Sequence, residues 1–303
     1  MKNRDIAAAE SGLHSAADAP RVSVVVPTFN RDTLLLRSLR SVLRQTEPRL
    51  EVIVVDDAST IDTRAVAESL GDSRVRFIRL EKNQGPSVAR NRGVQESRTP
   101  LVAFHDSDDE WFPHKLSRQL ACLDAAGDGV GVITCDKVRV WSSGNRTYHR
   151  TPDVQRGWLL SPETGFYQTF AVGAQTALMR RELLLEAGGF DPEMRWFEDS
   201  DLFLRLAAIT EFRRVPEPLV LYYQTGGLTT DHGAEIEARR RMLEKYGAAL
   251  RRESPTFVAR EKLLLAAKSL LGRRAAGLRG RPYGPPPPEP ELEVPSCDPL
   301  SAS

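Results

Sequence analysis

Hydrophobic and polar positions along the first hundred residues switch repeatedly between a strand period and a helix period. Val22 to Val26 is a β-branched run that ends at Pro27. After the polar stretch Thr28 to Asp32, Leu35, Leu36, Leu39, Val42 and Leu43 recur at helical spacing. The unit then repeats. Glu51 to Val55 reads as a second strand closed by Asp56 and Asp57, Thr63 to Leu70 as a short helix, and Val75 to Leu80 as a third strand. Asn83, Gly85 and Pro86 punctuate the chain before a helix over Ser87 to Val94, and Leu101 opens a fourth apolar strand that runs into Asp106, Asp108 and Asp109. Strands that alternate with helices and lack a polar face predict a parallel, doubly wound α/β sheet covered on both sides.

The second half is less regular. Val130 to Thr134 and Val138 to Trp141 read as strands before a turn at Ser142 to Asn145, and residues 146 to 172 are loop-rich. Tyr148, Trp158, Phe166 and Tyr167 in that stretch suit either a core or the apolar face of a sugar. Met179 to Ala187 is expected to be helical, with Gly188 and Gly189 ending it. Glu198, Asp199 and Asp201 open a further amphipathic helix, where the helix dipole would favour all three carboxylates. Val215 to Tyr223 reads as two short strands, followed by a polar loop to His232 and helices over Glu235 to Tyr246 and Pro255 to Leu271.

Composition narrows the class. With 303 residues, 41% of them hydrophobic and 27% charged, the chain can bury a sizeable core, and its net charge of +1 gives no general reason to expect nucleic acid. Cys122, Cys135 and Cys297 have neither disulfide-framework nor zinc spacing, which fits a reducing compartment. No apolar run is long enough for a membrane span and residues 1 to 20 lack a signal-peptide core, so the expected location is cytoplasmic. One segment departs from the average: from 249 to 283 nine basic residues face two acidic ones, a net +7, with Leu263, Leu264, Leu265, Leu270 and Leu271 beside them. Such a helix can lie on an anionic bilayer, so a peripheral place at the inner face of the plasma membrane is a further expectation.

The chemistry concentrates at strand ends. Right-handed crossovers bring the carboxyl ends of parallel strands to one edge, where the Pro27 to Asn30 loop, Asp56 and Asp57, and Asp106 to Asp109 can converge on one ligand. Asp106 and Asp108 share a face of an extended chain, and two such carboxylates suit Mg²⁺ or Mn²⁺ bridged to phosphate oxygens. There is no G-x-G-x-x-G after the first strand and no G-x-x-x-x-G-K-[ST], which disfavours dinucleotide oxidoreductases and P-loop nucleotidases.

These stretches resemble those of the inverting family 2 glycosyltransferases with the GT-A fold. The resemblance rests on V-S-V-V-V-P-T-F-N-R at 22 to 31, E-V-I-V-V-D-D-A-S-T at 51 to 60, N-Q-G-P-S-V-A-R-N-R-G-V at 83 to 94 and F-H-D-S-D-D at 104 to 109. It continues in A-L-M-R-R-E-L-L-L-E-A-G-G-F-D at 177 to 191 and F-E-D-S-D-L-F-L-R-L at 197 to 206. It implies a Rossmann-like, mostly parallel central sheet flanked by helices, with a C-terminal helical extension. The implied reaction moves a sugar from a nucleotide donor, with uracil the expected base, to an acceptor hydroxyl on a glycan or lipid, as in cell-surface polysaccharide or glycolipid synthesis. A dTDP- or GDP-sugar donor, or a sugar-nucleotide-binding protein without catalysis, are the alternatives. Pro27, Thr28, Asn30, Asp57, Arg90 and Asp106 would bind the nucleotide, and Asp108 with Asp106 the metal, leaving Asp109 structural. Asp199 would be the catalytic base, with Asp201 as the second candidate and Glu198 in support. The expected organisation is a disordered lead-in over 1–20 and a catalytic domain over 21–248, split at 110 into nucleotide-binding and acceptor halves. A basic helical extension over 249–279 and a Pro-rich tail over 280–303 complete it.

Overall fold

The computed structural model describes residues 19–224 and 232–271. Residues 1–18 of the expected lead-in, the loop from 225 to 231 before His232, Cys297, the tail and the basic residues beyond 271 lie outside the described residues.

Strands β1 (Val22–Thr28) and β2 (Leu50–Asp56) are buried at every position, which explains why neither alternates polar and apolar residues. Together with β3 (Val75–Arg79) and β4 (Leu101–Phe104) they form a parallel half-sheet in the order β3-β2-β1-β4. In register, Thr28 lies opposite Asp56, so β1 and β2 end at one level. Helices α1 (Thr33–Leu43), α2 (Thr63–Glu68) and α4 (Lys115–Ala125) cover one face, and α3 (Pro86–Glu96) covers the other. Asp32 caps α1 by accepting the N–H of Thr33. Gly85, at φ 90°, lets the chain turn into Pro86 at the first position of α3, and Gly93 brings α3 so close to β1 that a Cβ there would stand 2.3 Å from a Val25 methyl.

The second half of the sheet is mixed, and here three expectations are corrected. Leu178–Arg180 is a strand, β8, antiparallel to β4, and only Arg181–Glu186 (α5) is helical. Met179 pairs with Val102 on one side and Val132 on the other, so pairing overrides local helix preference. The two strands expected from Val130 to Trp141 are one, β6 (Val130–Val140), which forms a hairpin with β7 (Arg146–His149) across the anticipated turn. The two expected from Val215 are also one, β9 (Glu211–Tyr223), which runs parallel to β6 with irregular register near Asp136 and Pro218. In addition, Glu110–Trp111 forms a short strand, β5, antiparallel to β9. Among the described residues the full order is β3-β2-β1-β4-β8-β6-β9-β5, with β7 on β6.

Helix α6 (Glu198–Ile209) joins α3 and α5 on the second face. Helices α7 (His232–Glu253) and α8 (Pro255–Leu271) share a third core with Phe166, Tyr167 and Phe197, which settles those two middle-region aromatics as packing residues. Helix α7 runs without interruption across position 248. Part of the basic charge here is used internally: Arg239 pairs with Glu235 at 2.9 Å and Glu261 at 2.7 Å, and Lys268 with Glu235 at 2.9 Å. Leu263 is 72% exposed. Among the described residues no helix is long and apolar enough to cross a membrane.

Candidate functional site

The loops after β1, β2 and β4 meet at a cavity of about 600 Å³, within the size range of small-molecule sites. Pro27, Thr28, Asp57 and Arg90 line one side, Asp106 and Asp108 another, and the segments 192–195 and 222–224 close it from the second half of the chain. Thr28 is buried, and among the described residues its hydroxyl has no hydrogen-bond partner.

Asp57 does more than line this cavity. Its two carboxylate oxygens accept the backbone N–H groups of Gln84, at 2.8 Å, and Gly85, at 2.7 Å, and so hold the loop that starts α3. Burial raises its pKa, and those two N–H groups oppose the rise. Asn30 departs from its expected place. It does not line the cavity; its side chain accepts the N–H of Thr60 at 2.7 Å and its own N–H donates to Ser59 at 2.8 Å, tying the β1 loop to the β2 loop. The left-handed backbone at Asn30, φ 51°, turns it there.

The three aspartates after β4 diverge. Asp106 lies 2.9 Å from Arg90 and Asp108 lies 3.0 Å from Arg31, so arginines answer the repulsion anticipated between them. Asp109 points inward, is fully buried and accepts the N–H of Tyr223 at 3.0 Å. Burial first, and then the charges of Asp106 and Asp108, hold its pKa well above the carboxylate range. From α1, Arg37 donates to the carbonyl of Asp108 at 2.6 Å and Ser38 to that of Asp106 at 3.2 Å, fixing the loop's backbone. Glu110 is buried, 3.2 Å from Arg37 and bonded by the Tyr223 hydroxyl at 2.7 Å. The preceding His105 is buried against Trp111, and burial pushes its pKa down to about 3, so it is a neutral packing group.

Among the described residues no group of three or more His, Cys, Asp or Glu gathers as a metal cluster. Asp106 and Asp108, two hard carboxylates on one cavity wall, are the residues that would hold a divalent cation here.

Arg90 links this wall to α6. Its guanidinium is almost fully buried over the Phe190 ring, 2.9 Å from Asp106, 3.6 Å from Glu198 and 3.9 Å from Asp199. Burial works against its charge, and the three carboxylates outweigh that and raise its pKa. Phe197, left-handed at φ 61°, breaks the chain just before α6 and lets both acids at the helix start reach Arg90. Asp199 does not line the cavity itself; it stands behind Arg90, which does. One of its oxygens accepts the N–H of Ala174 at 3.0 Å, and the other, Oδ1, is buried with no hydrogen-bond donor. Burial raises the pKa of both Glu198 and Asp199, the Asp199 charge adds to the rise at Glu198, and Arg90 opposes both.

Asp201 is the clear departure among the expected catalytic residues. It is fully buried and its charge is consumed by Arg205 at 2.6 Å, Lys245 at 2.9 Å and the Tyr246 hydroxyl at 2.9 Å. It fastens α7 to α6 and does not line the cavity. Conversely Arg31, Arg37, Tyr222 and Tyr223 were not singled out from the sequence. Arg31 closes the stretch quoted at 22 to 31 and Tyr223 ends the expected strands over 215 to 223, but neither position carried a role of its own, and Arg37 lies in no quoted stretch.

Residues 23–187 match the model of the family described as "Glycosyl transferase family 2". The putative colanic acid biosynthesis glycosyl transferase WcaA of Escherichia coli is 30% identical over 224 residues, 71% of this chain and 74% of that protein. The succinoglycan biosynthesis protein ExoO of Rhizobium meliloti is 40% identical over 119 residues, which is 39% of this chain but 34% of ExoO. The putative teichuronic acid biosynthesis glycosyltransferase TuaG of Bacillus subtilis is 41% identical over 103 residues, 33% of this chain and 41% of TuaG. The chain thus spans well under half the length of these last two relatives. Among solved structures, S. aureus TarS 1-349 in complex with UDP-GlcNAc superposes with a TM-score of 0.60 at 21% identity, over 74% of this chain and 66% of that one. The fold is therefore the GT-A arrangement with added C-terminal helices.

Proposed function

Because the chain belongs to glycosyl transferase family 2, we propose that it moves a sugar from a UDP-sugar to an acceptor hydroxyl with inversion, in the assembly of a cell-surface polysaccharide or glycolipid. The names of WcaA, ExoO and TuaG support the polymer, and the TarS complexes with UDP-GlcNAc and UDP support the donor. One observation carries the chemistry. Beside a cavity edged with aspartates and arginines stands a carboxylate, Asp199, whose buried Oδ1 accepts no hydrogen bond and has the Arg90 charge 3.9 Å away.

Pro27 and Thr28 flank the nucleoside, and Asp57 contributes by holding the 84–85 backbone in place and by the lone pairs it has left. Asp106 and Asp108 would hold Mg²⁺ or Mn²⁺, which supplies positive charge against the departing diphosphate. Arg31 adds a fixed cation on the same wall. Asp199 Oδ1 takes the proton of the acceptor hydroxyl as that oxygen bonds to the anomeric carbon. The bond from the anomeric carbon to the phosphate oxygen breaks on the opposite face, and its electron pair leaves with the nucleoside diphosphate. Burial makes Asp199 a stronger base than a surface carboxylate, and Arg90 keeps it deprotonated.

Asp199→Asn should leave folding and UDP affinity intact and lower the transfer rate by roughly 10² or more. Near-wild-type turnover would remove Asp199 as the base. UDP should also bind more tightly with Mn²⁺ than with chelator, and Asp108→Ala should erase most of that difference. Equal calorimetric affinity in both conditions would refute the metal site.

A further inference from the structure

Strand β6 carries two cations, Lys137 and Arg139, that make no ion pair among the described residues. Alternate residues of a strand share a face, so Lys137, Arg139 and the following Trp141 form a row on one side of the sheet. Pairing sets His149 of β7 beside Lys137, and places Arg139 between Thr147 of β7 and Tyr222 of β9. Among the described residues neither cation has an ion pair, and Arg139 Nε is buried without a hydrogen-bond acceptor. Both instead face rings: Lys137 lies 5.4 Å from the Tyr222 ring, and Arg139 lies 5.1 Å from Trp141 and 5.6 Å from Tyr222. Two like charges held side by side cost stability unless an anion joins them. Their field is felt locally, since burial and then Arg139 and Lys137 push the neighbouring His149 down to about 4.

The row leads away from the reaction centre. At its inner end the Lys137 charge acts on both Asp109 and Asp199, and Tyr222, which the row flanks, lines the cavity. At its outer end Trp141 is 37% exposed, a ring on which the apolar face of a sugar can pack. From Lys137 to Trp141 the strand rises roughly 13 Å, which gives room for more than one sugar unit.

We infer that the Lys137, Arg139 and Trp141 row is the acceptor subsite, and that it selects an acidic glycan whose carboxylate or phosphate lies between the two cations while a neighbouring sugar stacks on Trp141. The inference rests on the glycosyl-transfer reading above and adds the acceptor's chemical class to it.

The test is calorimetric, on the full chain with UDP and Mn²⁺ present. The probes are tetragalacturonate for a carboxylate source, a glycerol-phosphate tetramer for a phosphate source, and neutral maltotetraose. Vesicles of equal phosphatidylglycerol and phosphatidylcholine form a fourth arm. At least one acidic oligomer should bind ten-fold or more tightly than maltotetraose, and should weaken as salt rises. Arg139→Gln should reduce that affinity about ten-fold and Trp141→Ala a few-fold, with UDP affinity unchanged in both variants. Equal binding of maltotetraose would overturn the proposal, and so would indifference of the acidic oligomers to Arg139→Gln. An Arg139 effect confined to the vesicles would assign the patch to a membrane instead. If UDP binds and no oligomer does, the acceptor proposal alone falls; if UDP itself fails to bind, the donor reading falls with it.

Discussion

Replacing Arg90 by Gln removes one buried cation from three carboxylates. At an effective dielectric of about 20, unit charges at the observed 2.9, 3.6 and 3.9 Å attract by roughly 4–6 kcal/mol each before desolvation is counted. The net loss is smaller, because burying the guanidinium already opposes its charge. Removal of one partner from a buried pair costs about 3–5 kcal/mol, and that range is expected here at pH 7. The acids then respond. Arg90 lowers the pKa of both Glu198 and Asp199, so without it both rise further. Since a base must be deprotonated, the acid limb of the transfer rate moves to higher pH. The stability difference has a definite sign too. A carboxyl with a raised folded pKa stabilises the fold below its unfolded pKa and loses that contribution as pH rises through the folded value. The variant therefore trails wild type most near neutrality, and the gap closes toward about pH 4 as the acids protonate. Denaturant melts from pH 4 to 8 and a pH–rate profile with saturating donor measure both effects. An unmoved acid limb together with a loss under about 1 kcal/mol would refute the view of Arg90 as the shared counter-ion.

Two further outcomes follow from buried charge. Asp201→Asn should cost about 3 kcal/mol in urea unfolding, because it strips Arg205 and Lys245 of their buried anion, while the transfer rate per folded molecule stays within about two-fold; a hundred-fold loss of rate with full stability would restore Asp201 as a base. Lys115 is fully buried, its ammonium 2.8 Å from Gln119 and over the Trp111 ring, and burial pushes its pKa from 10.5 down to about 8. The folded chain then binds fewer protons than the unfolded one between those values, so this residue makes stability rise with pH across the window, by on the order of 3 kcal/mol. Lys115→Met should abolish that rise, and identical changes in unfolding free energy between pH 7 and 10 for variant and wild type would contradict it.

Much of the parallel half of this fold is legible in the sequence, because burial on both faces leaves an unmistakable trace. Val22 to Val26, Glu51 to Val55 and Leu101 to Phe104 are continuous runs, each closed by a loop of prolines, threonines or aspartates, and right-handed crossover fixes which sheet edge those loops share. The same chain pattern places Pro27, Thr28, Asp57, Asp106 and Asp108 at one sheet edge, where they line one cavity. Local pattern fails where a segment is short and apolar. Leu178 to Arg180 could serve a helix or a strand equally, and the decision was made by Val102 and Val132, which lie far away in the chain.

The division of labour among the acids was likewise a tertiary matter. Glu198, Asp199 and Asp201 sit within one helical turn, and nothing in F-E-D-S-D-L separates them. Helix α7 separates them by delivering Lys245 and Tyr246 to Asp201, and α3 by delivering Arg90 to the other two. Asn30 and Asp57 were drawn into backbone contacts in the same way, by loops about 30 residues distant. Sequence determines which side chains are present and which strand end they occupy. Their charge state and free lone pairs depend on partners from other elements, because electrostatic energy falls with distance through space and takes no account of separation along the chain.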